Sequence, residues 1–236
     1  MINEYLCSDN AVFVKDMESG ECLVSHNAEK VFPSASVIKL FILSYYMDKE
    51  DVTLPVTRKD MVGTSVITEL KIKEISLSHA LTLMIAFSDN TATNLLIKHG
   101  GMENINAHIK EIGCENTILA RKMMDFKTRE MGIDNLTTLA DCYKVLERLK
   151  NYPAAMEMLI KNKCGERLGR YIYGPAQLYL KEGDLNDVYN DVGIIVTPEK
   201  KTRFAGVLSY NYDRSKAKRL CGKTGLIACD RETILF

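Results

Sequence analysis

Apolar and polar positions change period several times along the chain, and each change predicts an element. Ala11-Val12-Phe13-Val14-Lys15 is strand-like, Glu18-Ser19-Gly20-Glu21 has turn chemistry, and Cys22-Leu23-Val24 returns, so residues 11 to 25 read as a hairpin. From Ser34 to Asp48 the apolar residues Val37, Ile38, Phe41, Ile42 and Tyr45 recur at helical spacing. Pro33 precedes them and Ser34 is placed to cap, which predicts a mostly buried helix. Between about 77 and 175 the same period predicts helices at Leu77 to Phe87, Thr91 to His99, Met102 to Ile112, Leu136 to Leu149 and Pro153 to Asn162. Arg121 to Asn135 is polar and irregular, too long for a routine connection and so a candidate functional or Ω-type loop. After Gly174-Pro175 come three short β-rich runs, Leu178 to Lys181, Asp191 to Thr197 and Arg203 to Tyr210. Residues 213 to 229 close the pattern with an amphipathic helix carrying Ala217, Leu220, Cys221, Thr224 and Ala228 on one face.

The order of hairpin, helical block, three strands and helix predicts a single α/β (α+β) domain. One antiparallel sheet is assembled from both chain ends, about 1–35 and 175–236, with a helical subdomain, about 36–174, inserted between them. A cleft between the two parts is the natural place for a site. Composition narrows the partners. With 46% hydrophobic and 26% charged residues, disordered and fibrous classes drop out. Thirty-one basic residues balance thirty-one acidic ones, so no global field favours nucleic acid or an anionic membrane. The longest apolar stretches, Ala80 to Phe87 and Val37 to Leu43, fall short of the roughly 20 residues a membrane span needs.

Seven cysteines, an odd number without tight spacing, read as thiols of a reducing compartment rather than a disulfide framework. The opening Met-Ile-Asn-Glu-Tyr-Leu has no basic segment followed by an apolar one, which reads as no signal peptide. CxxC and HExxH are missing from the sequence and the four histidines are scattered, so no metal is expected. His26 and His79 read as surface or cap residues, and Cys142 and Cys221 as small buried hydrophobes.

Two short motifs carry candidate chemistry. Ser36-Val37-Ile38-Lys39 puts a hydroxyl and an amine one helical turn apart, where a desolvated lysine can take the serine proton. Alone this is weak: the serine and lysine counts predict about one such spacing by chance, and Ser215 to Lys218 is a second. Ser88-Asp89-Asn90 lies at a break between two apolar helices, where a helix cap is the plain reading.

In that order, however, the two motifs resemble those of the serine β-lactamase and penicillin-binding protein superfamily, close to its class A branch. The resemblance runs through Phe32-Pro33-Ser34-Ala35-Ser36-Val37-Ile38-Lys39, Gly63-Thr64-Ser65-Val66 and Ser88-Asp89-Asn90-Thr91-Ala92-Thr93-Asn94, and covers nearly the whole chain. Its third box is matched by Lys181-Glu182-Gly183, because two strands and a helix follow. The literal Lys223-Thr224-Gly225 has only eleven residues after it, and Thr224 falls on the apolar face of the last helix. The resemblance implies that Ser36 is the acylated nucleophile, Lys39 its proton acceptor, and Ser88 the group passing a proton to the leaving nitrogen. Asn90 would then bind the acyl-amide side chain and Lys181 the substrate carboxylate. Backbone N–H groups of Ser36 and Asp184 would form the oxyanion hole.

Two positions depart from the family pattern. Met123 stands where the Ω-loop glutamate that activates the deacylating water is expected, in Arg121-Lys122-Met123-Met124-Asp125-Phe126-Lys127. Asp125 or Glu130 is the candidate substitute, and Arg121 is expected to pair with Asp134 to close the loop. Glu182 replaces a threonine; facing the site it repels anionic substrates, whereas strict strand alternation sends it to the face opposite Lys181. The expected activity is acylation of Ser36 by a small-molecule β-lactam or a peptidoglycan-like peptide followed by hydrolysis, without metal or organic cofactor. A D,D-peptidase or penicillin-binding acyl enzyme and a non-hydrolytic binding or sensor domain are the alternatives. Related proteins are usually exported, so compartment and oligomeric state stay open.

Overall fold

The computed structural model describes residues 2–162 and 166–230. Cys164 lies outside them. Strand β1 (Asn10–Asp16) turns through Gly20, whose φ of 76° suits a residue without Cβ, into β2 (Cys22–His26). Asp16 Oδ1 accepts the amides of Glu18 and Ser19 and so fixes the turn. The strands pair antiparallel, with Val12 opposite His26 and Val14 opposite Val24.

After the two-residue strand β3 (Phe32–Pro33), the single helix expected from Ser34 to Asp48 is divided. A tight 3-10 turn, Ala35–Ile38, runs into α1 (Lys39–Tyr46). Ser34 does not cap it: its hydroxyl donates to Asn135 O at 3.1 Å and Ala35 O at 3.2 Å. The tighter turn matters because residues three apart eclipse in 3-10 geometry, which stacks Lys39 beneath Ser36. Leu40, Phe41, Ile42 and Leu43 are all fully buried, so α1 is enclosed on every side. Burial of each such side chain stabilises the fold by about 1.5–3 kcal/mol.

β4 (Thr53–Pro55), α2 (Val66–Glu69) and β5 (Glu74–Ser76) follow, with β4 and β5 paired. Then come α3 (Leu77–Ala86), α4 (Asn90–Gly100), α5 (Met102–Glu111) and the short α6 (Phe126–Glu130) inside the expected loop. Side-chain caps explain the starts of α3 and α4: Ser76 accepts the amide of His79, and Asp89 that of Ala92. The helix expected from Leu136 begins later. Leu136–Thr137 is β6, held by β3 through Phe32 opposite Thr137, and Thr138 caps α7 (Leu139–Leu149). Pro153 opens α8 (Pro153–Ile160) at the helical position where its missing N–H costs nothing.

β7 (Gln177–Asp184), β8 (Tyr189–Val196) and β9 (Thr202–Ser209) lead to α9 (Arg214–Ala228). The main sheet is antiparallel in the order β2-β1-β9-β8-β7, joining the two ends of the chain at Asn10 opposite Ser209. One core lies between the sheet and the helices around α1, with Phe41, Val192 and Phe204 in it. A second lies between the sheet and α9, with Val14, Val207, Leu220 and Cys221. Lys223-Thr224-Gly225 sits within α9, where the buried Thr224 hydroxyl donates to Leu220 O. Burial pushes the thiols of Cys142 and Cys221 upward in pKa. No helix among the described residues is long and apolar enough to cross a membrane.

Candidate functional site

A cleft of about 1370 Å³ opens where the 3-10 turn, the α3–α4 connection, the α6 loop and the edge strand β7 meet. Ser36, Ser88, Asn90, Glu182 and Asp184 all line it. Lys39 and Lys181 lie beneath with no exposed surface. Lys39 Nζ donates to Ser88 O at 2.6 Å, Ser88 Oγ at 3.1 Å and Asn90 Oδ1 at 3.0 Å. Lys181 Nζ reaches the same Ser88 Oγ at 3.1 Å. One hydroxyl is thus held between two lysine nitrogens from elements far apart in sequence. Burial, reinforced by the Lys181 charge, drives the Lys39 pKa well below the ordinary lysine value, against the opposing pull of Glu182 and Asp89. The shift lies in the direction that favours the neutral amine.

The backbone around the cleft is unusual. Ala35, Thr64, Ser88 and Met124 all have positive φ, between 45° and 65°, although none is glycine. Such conformations persist only where surrounding bonds over-determine them. At Ser88 the neighbour Asp89 supplies those bonds. Its Oδ1 accepts the amide of Ala92, capping α4, and its Oδ2 accepts the amides of Val66 and Ile67. The cap reading of Ser88-Asp89-Asn90 thus holds for the middle residue, while its flanks face the cleft. A second Ser-Asp-Asn, at residues 8 to 10, leads into β1 and does not line the cleft.

Strand β7 is the free edge of the sheet and packs against the Ser36 turn. Leu185 N–H bonds Val188 O on the β8 side, so by alternation the preceding amide, that of Asp184, points to the open edge. Gly183 permits the approach: a Cβ there would lie 2.7 Å from Ser34 O and 3.1 Å from Ser36 N. These are backbone atoms that cannot swing aside. Gly183→Ala is expected to cost about 1–3 kcal/mol of stability and to slow reaction at Ser36, read by denaturant unfolding and by acylation rate. An unchanged acylation rate would mean the two backbones need not touch.

The expected Arg121–Asp134 pair is present at 2.7 Å, and Asp134 also takes Arg129 at 2.8 Å. Arg129 extends to both oxygens of Asp187 in the β7–β8 connection, strapping the loop to the sheet. Met123 is held through its backbone by the Asn94 carboxamide, at 2.8 and 3.1 Å. With Met124, Asn90 and Ser36 it lines a chamber of about 60 Å³, room enough for water. Asp125, a candidate for replacing the loop glutamate, lines neither space. Its oxygens accept the amide and hydroxyl of Thr128, capping α6, which holds its carboxyl below the ordinary range. Glu130 lines the outer cleft and is exposed.

Glu182 turns out to face the site. Although strand register sets it opposite Asp191, its carboxylate comes round the sheet edge to within 3.1 Å of Lys181 Nζ. Asn162 Nδ2 donates to its other oxygen. Burial pushes this carboxyl up, but the Lys181 charge and the Asn162 bond outweigh it and leave the pKa at about 2. Asp184 pairs bidentately with Arg214 at 2.8 and 2.9 Å, and Arg167 lies 3.2 Å away. Both guanidinium groups flank the Tyr189 ring. Arg129, Arg167 and Arg214 were not found from sequence, because no local spacing links them to the acids they meet.

The β-lactamase enzyme family model matches residues 1–231 of the chain. The β-lactamase BRO-1 of Moraxella catarrhalis is 34% identical over 109 residues, which cover 42% of this chain. That match spans 34% of the length of BRO-1. Among solved structures, a class A β-lactamase from Mycobacterium abscessus has a TM-score of 0.84 at 21% identity, over 96% of this chain and 94% of that one. A point mutant of PBP-A, in an acyl-enzyme complex with penicillin G, has a TM-score of 0.82 at 21% identity, over 93% and 88%. Both structures share the fold described above.

Proposed function

Since the chain belongs to the β-lactamase enzyme family, we propose that it is a serine acyl-transfer hydrolase acting on a β-lactam or a related peptide-like amide through Ser36. The observation that carries this reading is the Ser88 hydroxyl held 3.1 Å from both Lys39 Nζ and Lys181 Nζ in the cleft that Ser36 lines. Ser36 Oγ bonds to the acyl carbon while Lys39 takes its proton, and the oxyanion meets the amides of Ser36 and Asp184. As the acyl C–N bond breaks, Ser88 donates a proton to the departing nitrogen and is resupplied through Lys39. Asn90 is the hydrogen-bonding partner for the acyl side chain. Water then cleaves the ester, returning Ser36 and releasing the acid.

The second half of this cycle is the slower. In the chamber beside Ser36, Met123 brings no carboxylate and that of Asp184 is taken by Arg214, so a water there lacks a free carboxylate base. That observation favours a long-lived acyl-enzyme, as in a penicillin-binding or D,D-peptidase role, over rapid turnover. Intact-protein mass spectrometry after mixing with a penicillin or a cephalosporin tests both points. A one-to-one adduct is expected on the wild-type chain and none on Ser36→Ala. Labelling that survives the substitution sinks the nucleophile assignment, and a wild-type chain inert to both favours a non-hydrolytic binding domain.

A further inference from the structure

A cleft suited to an anionic group offers it positive charge that nothing else has claimed. Here each basic group has already been claimed. Arg129 is taken by Asp134 and Asp187, and Arg214 by Asp184, with Arg167 beside the same carboxylate. Lys181, at the floor beside Ser88, is met by Glu182. Counting charged lining residues, those three guanidinium groups stand against five carboxylates, Glu130, Asp134, Glu182, Asp184 and Asp187. Among these, Glu182 is the one bonded to the lysine that contacts the Ser88 hydroxyl, so its charge sits beside the path of the leaving group. The position is set from outside the pair as well, because Asn162 donates to its second oxygen.

Resting on the acyl-transfer reading above, we infer that Glu182 determines specificity on the leaving-group side of the cleft. It selects acyl donors that carry an ammonium or an uncharged N–H donor there, and it disfavours those that carry a carboxylate. The bonds made and broken are those of acylation as already described; only the non-reacting substituent is read. A cation or N–H donor completes the acceptor capacity of Glu182. A carboxylate instead meets like charge in a partly buried site, where screening is weak, and reaches Lys181 only by displacing Glu182.

Three probes with one acyl group test this: a penicillin, its carboxamide and its 2-aminoethyl amide. Each is mixed with the wild-type chain and with Glu182→Gln, and the rate of Ser36 adduct formation is followed by mass spectrometry. The wild type is expected to react with the two amides at least about tenfold faster than with the free acid. Glu182→Gln, which keeps an acceptor for Asn162, should bring the three rates within about threefold of one another, chiefly by speeding the free acid. A wild-type preference for the free acid, or a ratio indifferent to Glu182→Gln, overturns the inference while leaving acyl transfer standing. No adduct and no ring-opened product from any of the three probes overturns acyl transfer itself, and the inference with it.

Discussion

Replacing Lys39 with alanine is expected to slow acylation of Ser36 by about a hundredfold to ten-thousandfold, the range removed with a positioned general base. The argument rests on burial. Lys39 is fully enclosed, and desolvation together with Lys181 lowers its pKa, so a larger neutral fraction is present near neutral pH than an exposed lysine would have. The sign of the pH dependence follows. Acylation by the wild type rises with pH through the depressed Lys39 pKa and then levels off, whereas Lys39→Ala loses that rise. Stopped mixing with a penicillin across a pH series, with folding checked by circular dichroism, reads both. A folded Lys39→Ala chain that acylates within about tenfold of wild type would move the proton acceptor elsewhere.

Met123→Glu is expected to act on the other half of the cycle. It places a carboxylate in the chamber of about 60 Å³ that Ser36 and Asn90 share, where a water can stand between the new base and the ester. The lifetime of the acyl adduct should fall by about a hundredfold or more, while acylation changes by only a few-fold. Burial would raise the new carboxyl toward the range useful for a base near neutral pH. Arg121 does not forfeit this by pairing with it, being already committed to Asp134. Decay of the adduct followed by mass spectrometry checks the expectation. An unchanged lifetime in a folded variant would mean that the water attacks from the side of Glu130 or Lys39.

Much of the architecture was legible because the long helices and the sheet strands announce themselves locally. α3, α4 and α5 carry apolar residues at helical spacing, and α3 and α4 have side-chain caps at their starts. The pieces that went unread are short and held from a distance. β3 and β6 are two residues each and exist because Phe32 meets Thr137, and no local pattern encodes that meeting. The same holds in the cleft. That Ser36, Ser88 and Asn90 share it was an expectation from the family resemblance rather than from spacing, and so was the rejection of Lys223-Thr224-Gly225, with Thr224 on an apolar face beside it. The direction of Glu182 could not, because strand alternation and the curl of a side chain round a sheet edge give opposite answers. Asp125 shows a related limit: a carboxylate near the right place in sequence caps α6.

The sheet that carries this site cannot be finished early. β1 lies between β2 and β9, so one of its two rows of hydrogen bonds waits for a strand made almost two hundred residues later, Asn10 against Ser209. On the ribosome the N-terminal hairpin therefore emerges with an open edge and keeps it while the helical block is synthesised. Contacts of such long sequence separation form slowly, and an unpaired strand is exposed to wrong partners until they do. The edge that must wait is protected by little more than Lys15 and Asp16 at its end. The yield of folded protein should then depend on how quickly β9 arrives after the helices have packed.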